Sequence, residues 1–472
     1  MSVRFILNGT AVQVDAIDPH VTLLSWLREH GRTGTKEGCA EGECGACAVA
    51  LLRKDAWGKA QLAPVNSCLL PLAALDGQSV ISVEGVARPD GELHPVQQAM
   101  IEQAGSQCGY CTPGFVVSMF CEYYRRERTG YDPEAIAGNL CRCTGYRPII
   151  AASASLPPVA ADDPIARNLE QPVPALGAFA HAGAARRFLR PSCLAELFEQ
   201  LDKYPDATLI AGGTDLMVYA NQRYQRFDTL IALEGLPELQ HFEVGEDEIV
   251  MGAAIPLTHL EQHLEHACPS EAPALAQLWP LFSSRLIRNR ATLGGNLGTA
   301  SPIGDSPPLL LALDAELTLL RAGGARRLPL QAFFLGYRKT ALAPGELIGS
   351  VHLPRPLPRI QRFYKACKRP LDDISTVAAA FALDLGPSGT VERLGIAYGG
   401  VAATPLRAAR VEQLAAGKPW NAATLARLLP ELNALGTPLS DFRGSAEYRR
   451  ALVAKLFEKF FAETTAQAEA AE

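Results

Sequence analysis

VRFILNGTAVQV (3–14) alternates apolar and polar residues around Asn8-Gly9, the strongest short hairpin signal. Thr22 to His30 then reads as a short amphipathic helix. ACAVALL (46–52) reads as a buried strand and QSVISVEGV (78–86) as another. From His94 the period becomes helical. HPVQQAMIEQAG, TPGFVVSMFCEYYRRE and DPEAIAGN predict three helices, with Thr112 and Asp132 as N-caps and Pro113 and Pro133 at the first helical position. Residues 153–185 are Ala/Pro-rich without sustained period, a linker expected to be partly disordered. Beyond it, 191–223 runs helix, short buried strand (208–211), glycine turn, helix. RNRATLGGNLGTASPIGDSPP (288–308) reads as one polar, flexible loop. From Arg359, RFYKACKR, DISTVAAAFAL and RLGIAYGGVAATPLRA predict the strands of a further α+β domain. The last fifteen residues predict a helix fraying into a tail.

At 472 residues the expectation is about three domains. Hydrophobic residues make up 48% and charged residues 20%, ordinary for a soluble globular chain. A net charge of −6 gives nucleic-acid binding no electrostatic support. The N-terminal apolar run is too short for a signal peptide. SPPLLLALDAELTLL, the nearest approach to a membrane span, is broken by Asp314 and Glu316. Twelve cysteines in such a chain point to reduced thiols and metal ligation in the cytoplasm.

Eight of those cysteines form two quartets. Cys39-x4-Cys44-x2-Cys47 with a distant Cys68 is the plant-type [2Fe–2S] spacing. Gly38, Gly42 and Gly45 suit a loop whose N–H groups turn inward toward negative sulfur. Strand pair, helix, loop and strands fit a β-grasp ferredoxin-like domain. The second quartet is Cys108, Cys111, Cys141 and Cys143. The Cys-x-Cys bite is unusual for zinc, and a second [2Fe–2S] cluster is the reading beside the first, with structural zinc as the alternative. Cys121, Cys193, Cys268 and Cys367 are left as small buried hydrophobes. Gly212-Gly213-Thr214-Asp215 makes a turn able to cradle a pyrophosphate, although ligand-free tight turns are commoner. It is not a Rossmann fingerprint.

GCAEGECGAC (38–47), QCGYCTPGF (107–115) and NLCRCTGYRPI (139–149) resemble the iron–sulfur modules of the xanthine dehydrogenase/aldehyde oxidase family of molybdenum hydroxylases. The resemblance implies a multidomain α+β chain: residues 1–82 a β-grasp [2Fe–2S] domain, 83–152 a helical-bundle [2Fe–2S] domain and 153–185 a linker. Residues 186–355 would be a non-Rossmann FAD-binding domain of the vanillyl-alcohol-oxidase/PCMH type, and 356–465 the α+β C-terminal domain of the flavin module. On this resemblance Leu209, Ala211, Gly212, Gly213, Thr214, Asp215 and Leu216 would hold the FAD pyrophosphate. Thr292, Asn296 and Asp305, in a loop with Gly295 and Ser301, would hold the ribose and adenosine side. Thr292 stands where many relatives carry Ser; the hydroxyl is kept. Phe282 would lie near the flavin, Ile348 would line the isoalloxazine pocket, and Lys365 would tune its electronics. FFLGYRKTALAPGELI (333–348) is similar to the segment beside the flavin in the family's NAD-dependent xanthine-oxidising branch. That singles out Tyr337 and Lys339 on the NAD side; an exposed Tyr-Arg-Lys turn is the alternative. Gln107 and Cys143 would face the pterin of a molybdenum cofactor on a partner large subunit, in an (αβ)2 heterotetramer. The implied function is electron transfer from that molybdenum site through two clusters and FAD to NAD⁺, with hypoxanthine oxidised to xanthine and xanthine to urate. The same relay in an aldehyde or N-heterocycle hydroxylase, or with oxygen as acceptor, is the rival, and a zinc-stapled scaffold a remoter one.

Overall fold

The computed structural model describes residues 1–88, 91–369 and 371–469. The chain divides into two compact units. The first comprises Met1–Pro237, Pro256–His259 and Ser284–Ala291; the second takes Glu238–Ile255, Leu260–Ser283 and the chain from Thr292 on.

The first unit begins with the expected hairpin. Strands Val3–Leu7 and Thr10–Val14 pair antiparallel, Val3 opposite Val14. Asn8 and Gly9 both take positive φ, 51° and 79°, which an Asn-Gly pair tolerates best. Val3, Phe5 and Leu7 point inward. The helix Leu23–Glu29, capped by Thr22 accepting from the Ser25 N–H, closes over them with Leu23, Trp26 and Leu27. The sheet order is Thr10–Val14, Val3–Leu7, Ser79–Ile81, Ala48–Lys54, Ala60–Asn66. The last of these strands went unrecognised in the sequence. It contains Pro64, which an edge strand can carry because it lacks one neighbour.

Four helices follow: Pro95–Glu102, Thr112–Tyr123, Glu134–Ala137 and Arg147–Ala154. Two caps differ from expectation. Cys111, not Thr112, precedes the second helix, and the Thr112 hydroxyl donates to Ser106 Oγ at 2.7 Å. Pro133 with φ −57° already leads into the third, so Asp132 stands one residue further out and accepts from the Glu134 N–H at 2.9 Å. The fourth helix was not anticipated; it buries Ile149 and Ala152 after Tyr146 turns the chain at φ 70°.

The 153–185 stretch is more ordered than a linker. Asp163 caps a helix, Pro164–Asn168, through the N–H groups of Ile165 and Ala166, and Phe179–Ala182 is a strand. Both are too short to register as a period. The same Asp163 carboxylate accepts from the Tyr124 hydroxyl at 3.1 Å, and Tyr124 meets His94 Nε2 at 2.9 Å, which pins this stretch to the helices. The strand joins a four-stranded sheet ordered Phe179–Ala182, Arg187–Arg190, Thr229–Ala232, Thr208–Ile210. Helices Leu194–Lys203 and Leu216–Gln222 flank the last-named strand in sequence.

The second unit holds an antiparallel sheet ordered Phe242–Val244, Glu248–Gly252, Leu347–Pro354, Glu316–Arg321, Gly324–Pro329. A second sheet, Ile360–Ala366, Val377–Leu385, Val391–Gly399 and Leu406–Arg407, bears the predicted strands. The helix Ala446–Glu469 packs Phe457 and Phe460 on it, with Phe460 stacked on Phe381 at 4.9 Å. The fraying tail falls at 470–472, outside the described residues. The expected flexible loop at 288–308 instead includes helical segments. Thr292 caps Leu293–Gly298 by accepting from Gly295 N at 3.1 Å, and Ser306–Ala312 follows. Gly294 serves packing there, since a Cβ would come within 2.6 Å of Ala253. No helix among the described residues is long and apolar enough to cross a membrane.

Candidate functional site

The eight quartet cysteines come together in the first unit as four pairs. The Cys39 thiol meets Cys44, Cys47 meets Cys68, Cys108 meets Cys143, and Cys111 meets Cys141. Among the described residues no three His, Cys, Asp or Glu side chains converge as one ion would need. Two thiols for each of two irons is the donor arrangement of a [2Fe–2S] cluster, whereas structural zinc gathers four around one point.

Each pair carries an acidity split. Cys44 donates to Cys39 and brings it down to about 5 against the opposing effect of burial, while Cys44 is pushed up. Cys111 is pushed up to about 12, by burial and by donating to Cys141. Burial opposes the ionisation of Cys141, yet the Thr144 hydroxyl and the N–H groups of Thr144 and Cys143 bring it down to about 7. Those same N–H groups lie 3.5 and 3.4 Å from Cys141 Sγ, and Glu41 N lies 3.5 Å from Cys39 Sγ. They are donors suited to stabilising negative sulfur. A Cβ on Gly38 would sit 2.7 Å from Cys44 Sγ, so only glycine leaves room for the pair. The residues present fit two [2Fe–2S] clusters.

The first loop is gripped from several sides. Asn66 Nδ2 donates to Gly42 O at 2.9 Å, and Ser67 Oγ to Cys47 O at 2.6 Å. Asn221 Nδ2 donates to both Ala40 O and Cys68 O, at 2.9 and 2.8 Å, and Gln222 Nε2 to Cys39 O at 2.6 Å. These amides end the helix that leaves the Gly212–Asp215 turn. Cys47 and Cys68 are buried, while Cys108 and Cys143 lie exposed beside exposed Gln107.

The Gly212–Asp215 turn follows the strand Thr208–Ile210, with Gly213 at φ 77° and Met217 N bonded to Gly213 O at 2.9 Å. Leu209, Ala211, Thr214 and Leu216 are half-buried around it, and Asp215 is exposed. Arg290 stands behind the turn. Its Nε donates to Gly212 O at 3.1 Å and its guanidinium pairs with Glu234 at 3.1 Å. The turn can present N–H groups to a diphosphate, as an FAD pyrophosphate would need.

In the second unit Lys365 is buried, with Nζ 2.7 Å from Asp305 Oδ2 and 2.6 Å from Leu281 O. Ser375 donates to the other Asp305 oxygen, and Ser306 Oγ to Asn296 Oδ1. Phe282, Thr292 and Ile348 are buried, Ser301 is half-buried and accepts from Ile303 N at 3.3 Å, and Gly295 is exposed. The structure thus brings Asp305 and Lys365 together beside the carbonyl that precedes Phe282. Tyr337 and Lys339 sit on a small exposed hairpin, Phe334–Gly336 with Lys339–Thr340, where Tyr337 is 62% exposed. Cys121 and Cys268 are buried as expected; Cys193 and Cys367 are only partly so.

Sequence reasoning missed Asn139, Asn221, Gln222 and the segment RLIRNR (285–290). Arg285 binds Glu122 and Asp132 at 3.0 and 2.7 Å, Arg288 binds Glu134, and Asn289 Nδ2 donates to Pro64 O at 2.8 Å. Three arginines in six residues were the available signal.

Four family profiles match in succession. Residues 5–73 match a "2Fe-2S iron-sulfur cluster binding domain" and 82–154 a "[2Fe-2S] binding domain". Residues 182–356 match the "FAD binding domain in molybdopterin dehydrogenase", and 362–464 the "CO dehydrogenase flavoprotein C-terminal domain". The chain is 32% identical to the xanthine dehydrogenase of Emericella nidulans over 99% of its own length and 39% of that protein. It is 34% identical to xanthine dehydrogenase 1 of Arabidopsis thaliana over 94% of its length and 38% of that protein. It therefore spans about two-fifths of the curated relatives it matches. Among solved structures, carbon monoxide dehydrogenase from Hydrogenophaga pseudoflava aligns with a TM-score of 0.53 at 27% identity, covering 58% of this chain and 94% of that one. Quinoline 2-oxidoreductase from Pseudomonas putida 86 aligns with a TM-score of 0.52 at 26% identity, over 58% and 94%. With paired cluster thiols and these four domains in this order, the chain belongs to the molybdenum hydroxylase family, of which it carries the iron–sulfur and flavin modules.

Proposed function

We propose that this chain is the electron-transfer subunit of an NAD-dependent xanthine dehydrogenase, working in the cytoplasm with a separate molybdopterin-binding large subunit in an (αβ)2 assembly. The observation that carries the relay is the set of four thiol pairs built into two adjoining modules. The choice of hypoxanthine and xanthine as substrates is supported by the xanthine dehydrogenases it resembles over nearly its whole length. When bound, the clusters carry single electrons, and the flavin collects them singly and exchanges hydride with a nicotinamide.

The chain's own residues bind and orient. Cys39, Cys44, Cys47 and Cys68 would hold the first cluster, and Cys108, Cys111, Cys141 and Cys143 the second. The exposed Gln107 and Cys143 would face the partner's pterin, and exposed Ile101, Tyr110 and Ile150 in the same helical module suit a protein interface. Leu209, Ala211 and Leu216 shape the turn whose Gly212, Gly213, Thr214 and Asp215 would take the FAD pyrophosphate. Thr292, Gly295, Asn296, Ser301 and Asp305 would take the ribose and adenosine side, and Phe282 and Ile348 would pack near the ring. The Lys365–Asp305 pair would set charge beside it. Tyr337 and Lys339 lie exposed, as a nicotinamide-side contact requires.

Anaerobic titration of the cofactor-loaded chain with NADH tests the acceptor. Bleaching of flavin and iron–sulfur absorbance together is expected; bands that NADH leaves untouched would rule NAD⁺ out. A second reading, the same relay serving another hydroxylase, is favoured by the likeness to carbon monoxide dehydrogenase and quinoline 2-oxidoreductase. Xanthine-dependent NAD⁺ reduction by the assembled complex separates the two.

A further inference from the structure

We infer that Asn139, with a seam of three glycines, sets the spacing between the two cluster loops and holds in place a hydrogen-bonded route between them. This rests on the relay reading above.

The seam is a place where backbones touch without side chains between them. A Cβ on Gly45 would lie 2.2 Å from Gly138 O, and one on Gly114 would lie 2.2 Å from Gly45 O. Gly138 is closed from behind, because its Cβ would meet Leu286 and Ser284 at 2.6 Å. Gly45 sits between Cys44 and Cys47 of the first quartet; Gly138 and Asn139 lead into Cys141 of the second. Two hydrogen bonds stitch the seam: Leu140 N donates to Cys44 O at 3.0 Å, and Asn139 Nδ2 donates to Gly45 O at 3.0 Å. Asn139 is 2% exposed and its Oδ1 has no partner. The amide therefore stays there for its single donor bond, at the cost of an unpaired acceptor.

The Leu140–Cys44 bond makes the route continuous. From Cys141 Sγ it runs through Cβ and the backbone to the Leu140 N–H, across one hydrogen bond to the Cys44 carbonyl, and on to Cys44 Sγ. Every other link is covalent, and coupling through bonds exceeds coupling across gaps. One electron leaves the Cys141 side and one arrives at the Cys44 side. A cluster held on the Cys141 side would be oxidised by one as a cluster held on the Cys44 side is reduced by one, with no proton moved. Asn139 touches neither sulfur; it is a positioning residue that holds the Gly45 carbonyl so that the neighbouring Cys44 carbonyl faces Leu140. Nothing in the cysteine spacing reveals this, since both quartets could be complete at any separation.

The test is EPR of the dithionite-reduced full chain, wild type against Asn139→Ala. Two reduced clusters held close split each other's signals, and the splitting falls as they separate. N139A is expected to retain wild-type iron and sulfide with both clusters reducible, but with smaller splitting and slower transfer between clusters after a light-driven electron pulse. Gly114→Ala, which wedges the seam from the other side, is expected to move the splitting in the same sense. Splitting and transfer rate unchanged in N139A with both clusters present would overturn the inference. So would loss of a cluster in N139A, which would make Asn139 an assembly residue. A wild-type chain without two split iron–sulfur signals would instead sink the relay reading itself.

Discussion

Gly212→Ala offers a sharp test of the flavin site. An ideal Cβ on Gly212 would lie 1.9 Å from the Arg290 carbonyl oxygen and 2.4 Å from its carbonyl carbon. Ordinary contact is about 3.5 Å, so one backbone must retreat by more than an ångström. Arg290 is poorly placed to give way: it is 6% exposed, and its guanidinium is fixed to Gly212 O and Glu234. The glycine turn moves instead. Binding a diphosphate requires the turn back in place, so the strain returns as a binding penalty. Overpacking of this kind costs about 1–3 kcal/mol. At about 1.4 kcal/mol per decade that is a loss of about 5- to 150-fold in FAD affinity. Calorimetric titration of FAD into the flavin-stripped variant measures it, with the iron–sulfur absorbance as an internal check on folding. Wild-type affinity in G212A, clusters intact, would refute the placement of FAD on this turn.

Three variants in the first unit carry further expected outcomes. Arg285→Ala should destabilise the helical module by about 1 kcal/mol, less than the penalty of a stranded buried charge, because Glu122, with a side chain only 4% exposed, and Asp132 lose one of two shared guanidiniums and keep Arg125; hydrogen exchange across 112–137 reads it. The same variant should blunt acid sensitivity. Burial raises the Asp132 carboxyl, but Arg285 wins and holds it below the usual range, so its stabilisation is present above the unfolded value and lost as pH falls through the folded one. Burial pushes His94 down to about 4, keeping it neutral. Stability should be full above its unfolded value near 6.5 and decline by about 3 kcal/mol as pH falls toward 4. His94→Asn, which keeps a capping acceptor, should flatten that decline in urea melts between about pH 7 and pH 5. Cys108→Ser, on an exposed ligand, should remove one cluster's iron and its EPR signal while leaving the other; loss of both would show that the modules do not assemble separately.

Much of the architecture was legible because local chemistry dictated it. Asn8-Gly9 closes a hairpin, Thr22 caps a helix, and eight cysteines at restrictive spacings find partners. What escaped notice has physical reasons. Ala60–Asn66 carries a proline that argues against a strand until its edge position is known. Arg147–Ala154 is hidden behind a cysteine motif that reads as loop. The run from Thr292 to Asp305 suggested flexibility from its glycines, yet Gly294 is there because Ala253 leaves no room. At the site, ligands announce themselves by residue type, but the residues that hold them do not. Asn139, Asn221 and Arg290 act through contacts with positions distant in sequence, and an isolated Asn or Arg carries no pattern.

Two [2Fe–2S] domains and an FAD-binding domain call for two clusters and one flavin on this chain. Iron, acid-labile sulfide and flavin analysis of the purified chain, together with EPR after reduction, addresses it most directly. About four irons and four sulfides per FAD are expected, with two distinguishable signals. Zinc in place of iron, or a single signal with half the iron, would contradict it.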